Sequence, residues 1–213
     1  MLLYLSNKTI FKRASKFFLF LTSLSIVIAL TTYMFSLNIS NIDFIKLFES
    51  IGDNEQLIQL NGIQKVEAFI LNNGFKVPLQ MLILSIIPIQ FLYLLNIIIP
   101  AALIGVAFGI ILQVDLVKGI QVLVSSMPYY IVEVFAFCLF AAILYELNQF
   151  IRIKIKNIFK KNKEKISFTN RGLEAVKLYA LFILPILIFA AFLETYLAEI
   201  LFVFFSIKSK RLS

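Results

Sequence analysis

Two acidic residues stand inside long apolar runs. Glu133 ends the stretch Pro128-Tyr129-Tyr130-Ile131-Val132-Glu133, and Glu194 interrupts Ala190-Ala191-Phe192-Leu193-Glu194-Thr195. An ionisable group at bilayer depth costs a few kcal/mol, so each is a candidate functional residue. If both face one bundle interior, a protonated carboxyl or hydrogen bonds to the amides of Asn72, Asn73 or Asn96 would offset that cost. The alternative places each acid at the headgroup level, where water solvates it.

Paired acids also serve glycosidases and aspartic proteases, but those enzymes hold them beside a substrate cleft with flanking motifs that are missing here. The chain has no His and a single cysteine, Cys138, in an apolar run. A histidine base is therefore excluded, as are the usual His and Cys metal site and an intramolecular disulfide. No Walker-type glycine-rich loop occurs, so any ATP-driven role needs a separate ATPase. The expectation is a protein that is not an enzyme and binds no cofactor.

The elements that must position these residues are membrane helices. Hydrophobic residues make up 61% of the 213-residue chain and the mean hydropathy is +0.93, far above the roughly 45–50% apolar usage of soluble domains. Runs near 17–37, 66–90, 96–114, 121–147 and 176–200 each reach the length of about 20 residues that a spanning helix needs. The fold class is all-α, a single polytopic bundle of about five spanning helices filling 1–213. The first run follows Lys8, Lys12, Arg13 and Lys16 but is too long for a signal-peptide core and lacks a small-x-small cleavage site, so it reads as a retained helix.

No charge occurs between Lys76 and Asp115. One straight helix over that stretch would be about 57 Å long, against a bilayer core of about 30 Å, so the chain must turn back. Asn96 and Pro100 are read as the turn, and Pro128 as a break or start in the fourth helix. Gly105 and Gly109 form a Gly-x-x-x-Gly spacing that permits close helix contact. The last apolar run extends past 200 and could fold back after Glu194 as a sixth pass; five spans is the preferred count.

Charge sets the expected orientation. There are 20 Lys and Arg against 12 Asp and Glu, a net charge of +8, concentrated between helices and not in a nucleic-acid-binding pattern. The segment 150–174 carries Arg152, Lys154, Lys156, Lys160, Lys161, Lys163, Lys165 and Arg171. It should be cytoplasmic, with the N-terminus, and favour anionic headgroups. The acidic stretch 38–65 should be external; Ile42, Ile45, Phe48 and Ile51 recur at helical spacing around Asp43, Lys46 and Glu49, giving either a short amphipathic interfacial helix or a plain exposed loop.

Over 65–200 the sequence resembles the stage II sporulation protein M family. The resemblance rests on Phe69-Ile70-Leu71-Asn72-Asn73, on Leu94-Leu95-Asn96 followed by Gly105 and Gly109, on Met127-Pro128 through Glu133, and on Ala190-Ala191-Phe192-Leu193-Glu194. Many relatives carry His-Gly where this chain has Tyr129-Tyr130. The resemblance implies a bacterial plasma-membrane protein without enzymatic activity, either a scaffold for cell-wall hydrolases or a subunit working with an ABC-type ATPase in bacteriocin export and self-immunity. Partners expected are therefore the bilayer and one of those proteins, with a homo-oligomer left open.

Overall fold

The computed structural model describes residues 7–35, 62–158 and 168–212. Every element among them is helical. Five helices are long and apolar enough to cross a membrane: α1 Asn7–Met34, α2 Ile63–Ile86, α3 Leu95–Val114, α4 Leu116–Ile158 and α5, residues 168–212. The external segment read as amphipathic and the lysines 160, 161, 163 and 165 lie outside the described residues.

α4 is the axis of the bundle and packs against the other four helices. Its Ala136, Phe137, Cys138, Phe140, Ala141, Ala142, Leu144 and Leu147 are all buried. Small residues alternating with large ones let neighbouring helices interdigitate at native density. α4 is also the longest helix, at 43 residues, or about 64 Å. It is continuous through Pro128, so that proline does not break it. α5 likewise runs on past Glu194 to Leu212 without folding back, which leaves five passes among the described residues and puts Asn7 and Leu212 at opposite faces of the bundle.

The reversal inside the uncharged run falls earlier than Asn96 and Pro100, both of which lie within α3. Pro88 is the cause: a residue before proline is driven out of the helical region, and Ile87 accordingly ends α2 in an extended conformation, with ψ 130°. Phe91 then adopts a left-handed φ of 68°, rare for a bulky side chain. Its ring is held by stacking on Tyr145 at 5.8 Å and by an edge contact with Phe17 at 6.2 Å. Asn148 of α4 completes the turn, its Nδ2 donating to the carbonyls of Ser85 at 2.9 Å and Ile87 at 2.7 Å. Beside it, Arg152 Nη1 donates to Gln90 Oε1 at 2.8 Å, and Arg13 of α1 pairs with Glu146 while lying over the Tyr145 ring.

At the opposite face α3 and α4 are joined through the single residue Asp115. Its backbone is extended, and its Oδ1 accepts the Lys118 backbone N–H at 3.0 Å, capping α4. That hydrogen bond is the main reason the Asp115 carboxyl titrates below its ordinary range; the nearby Lys118 charge adds to it.

α1 and α3 approach closely where the glycines stand. A Cβ on Gly105 would lie 2.6 Å from the Ser25 carbonyl oxygen, and one on Gly109 would lie 2.6 Å from Thr32 Cβ and 2.7 Å from the Ala29 carbonyl oxygen. Ser25, Ala29 and Thr32 form the small-residue face of α1 that receives them.

Candidate functional site

Glu133 lies midway along α4, about 22 Å from Lys118 and about 20 Å from Glu146 at 1.5 Å per residue. It is half-buried and faces α2. Asn73 Nδ2 donates to Glu133 Oε1 at 2.7 Å, and Asn72 Nδ2 donates to Asn73 Oδ1 at 2.7 Å. The two asparagines thus form a relay ending on the carboxylate. Glu194 of α5 is within electrostatic reach of Glu133 and of Lys65 near the start of α2. Tyr129, one turn before Glu133, is within reach of both acids.

The backbone at this site departs from the α-helix. Ile70–Lys76 of α2 and Leu193–Leu197 of α5 are π-helical, and so is Tyr179–Ile183. The first holds both asparagines and the second holds Glu194. Two of the three segments precede a proline, Pro78 or Pro185, which cannot donate to the carbonyl four residues back. The Gly74 carbonyl, which loses its partner to Pro78, accepts the Tyr179 hydroxyl of α5 instead. Widened turns re-aim side chains and cluster at functional sites. Leu193–Leu197 has no proline after it, so its widening follows from no breaker in the sequence.

The structure therefore brings together four of the five intramembrane polar residues read from the sequence. Asn96 is not among them: it occupies the first turn of α3, at the face where α2 and α3 reverse, and its Nδ2 is buried without a partner. Asn72 is exposed and reaches the acids only through Asn73. The tyrosine pair divides, Tyr129 going to the acids and Tyr130 to α1, where its hydroxyl is 3.1 Å from Ser25 Oγ. Sequence reading missed Lys65, Tyr179 and Thr195, whose hydroxyl is buried without a partner. Pro78 and Pro185 were the available signal for the widened turns.

Among the described residues no three of His, Cys, Asp and Glu are grouped to hold a metal ion. Two acids within electrostatic reach of each other, with amide and phenol neighbours between spanning helices, are equipped to receive a proton or a positively charged group, because together in a low dielectric they repel.

These features define a multi-pass α-helical membrane protein with a polar seam between α2, α4 and α5. The sequence model of the stage II sporulation protein M family matches residues 11–199, and the chain belongs to that family. The match takes in α1 as well as the 65–200 region that carries the resemblance. No curated protein and no solved structure matches the chain.

Proposed function

We propose that this protein is a non-enzymatic membrane scaffold that recruits soluble or membrane partners, such as cell-wall-remodelling proteins. The observation that carries the reading is the length of α4. At about 64 Å it is roughly twice the thickness of the bilayer core, and its last turns hold Lys154 and Lys156 exposed beyond the Arg13–Glu146 pair. The same face carries Lys12 and Lys16 of α1, also exposed. Clustered Lys and Arg favour the cytoplasmic side, so the N-terminus and this projecting basic helix would face the cytoplasm of a bacterial plasma membrane. A rigid charged projection gives a partner both a surface and a fixed orientation.

A second reading, a membrane subunit working with a separate ABC-type ATPase in peptide export or self-immunity, is supported by Glu133 and Glu194, which offer a cationic peptide a polar contact within the bundle. The two readings part on partner and phenotype. Affinity purification of the intact protein from native membranes should retain a cell-wall hydrolase under the scaffold reading, and replacing Lys154 and Lys156 with Gln should release it. Retention of an ATPase, with protection against a cognate peptide that is lost on Glu133→Ala or on deleting 156–165, would favour the second. Purification of the chain alone from its native membranes would refute both.

A further inference from the structure

The basic face of the bundle contains a set of hydrogen-bond donors that the fold itself does not use. Tyr93 is fully buried and its hydroxyl has no partner. The Nδ2 of Asn96, three residues further on, is also buried and unpartnered, as is the Nε of Arg152. Arg152 is tied by its Nη1 to Gln90, three residues before Tyr93, so the turn preceding α3 brings these groups to one end of the bundle. Arg13, Arg152 and Glu146 all act electrostatically on Tyr93. Two guanidinium groups against one carboxylate leave this cluster with an excess positive charge, and Lys12 and Lys16 stand exposed on α1 at the same face.

Buried donors without acceptors destabilise a fold by about 1–3 kcal/mol each unless something supplies the acceptor. A phenol, an amide and a guanidinium edge next to surplus positive charge call for an oxyanion, and guanidinium groups match the geometry of phosphate oxygens. Position narrows the choice. The cluster lies where the chain turns between two spanning helices, near the level of lipid headgroups.

We propose that Tyr93, Asn96 and Arg152, with Arg13 at the rim, form a phosphate-binding site between the α2–α3 turn and α4, whose ligand is an anionic phospholipid headgroup or a free phosphate. Binding would lock the turn against α4 and so fix the base of the basic projection. The site is separate from the carboxylates of the polar seam, and its test does not depend on any partner.

Thermal unfolding of the purified full chain in detergent, titrated with short-chain phosphatidylglycerol, short-chain phosphatidylcholine or inorganic phosphate, tests the assignment. Phosphatidylglycerol should raise the unfolding temperature saturably and at lower concentration than phosphatidylcholine. Tyr93→Phe keeps the ring in the core and should weaken that response about tenfold, the loss of one charge-assisted hydrogen bond. Arg152→Lys keeps the charge but loses the fork, and should weaken it as well, whereas Lys118→Gln at the opposite face should not. An equal response to inorganic phosphate, with the same dependence on Tyr93, would support the site and assign it to the free anion. Absence of any preference for phosphatidylglycerol or phosphate, or a Tyr93→Phe protein that responds like the wild type, would overturn the proposal.

Discussion

Two seams run through this bundle and are built in opposite ways. Between α1 and α3 the helices are regular, the closest contacts involve Gly, Ser, Ala and Thr together with Ile28, Ser25 Oγ donates to the Ala101 carbonyl at 2.8 Å, and the backbones come so close that a single added carbon would meet a carbonyl oxygen. Between α2, α4 and α5 the backbone of two helices opens into π-helical turns, and the contact includes two acids, two asparagines and a tyrosine. A close-packed seam of small residues holds helices together by dispersion and tolerates no change in volume. A polar seam with widened turns is a poor way to gain stability in lipid, which argues that it is kept for what it can bind.

That contrast can be broken by substitution. The largest effect should come from Gly109→Val, which forces atoms into Thr32 and the Ala29 carbonyl; we expect a loss of about 3 kcal/mol or more, measured by thermal or denaturant unfolding in micelles. Asn148→Ala should follow. It strips the carbonyls of Ser85 and Ile87 of a buried donor and should cost about 2 kcal/mol, with faster hydrogen exchange confined to the α2–α3 turn.

Glu133→Gln sharpens the comparison from the other side. It leaves an oxygen for the Asn73 amide and removes the charge, so stability should hold or rise by about 1 kcal/mol while partner- or peptide-dependent activity falls. If instead it unfolded the protein as readily as Asn148→Ala, the polar seam would be structural and the contrast would fail. The smallest effect belongs to the α4 cap. Because the Asp115 carboxyl titrates below its ordinary range, its contribution is present at neutral pH and is lost as pH falls through that lowered value; Asp115→Asn should flatten this acid limb of the unfolding profile and little else.

Much of this was legible in the residues. Hydropathy pointed to helices in lipid, since only helices and closed barrels satisfy the backbone there, and the apolar runs made five the preferred count, with a sixth pass after Glu194 left open until the fold showed α5 running straight on. The positions of Glu133 and Glu194 within those runs marked them without any structure, because a charge at that depth is costly wherever the helix turns. The Gly-x-x-x-Gly spacing named the close contact but not its receiving face.

Other features depended on which helices meet. Three prolines inside or beside apolar runs look alike in one dimension, yet Pro88 ends a helix, Pro128 is carried inside one and Pro78 leaves a carbonyl that a tyrosine on a distant helix takes up. Asn96 and Asn73 are equally polar, but only Asn73 lies at the depth and on the helix that faces Glu133. Arg13 and Glu146 are separated by most of the chain and pair only because α1 and α4 are packed side by side. The sequence determined that this chain lives in lipid and which of its groups would be costly there, since both follow from transfer of single residues out of water. Which costly groups are partnered, and which are left with donors or charges to offer, was decided by packing, because a partner is a property of two segments at once.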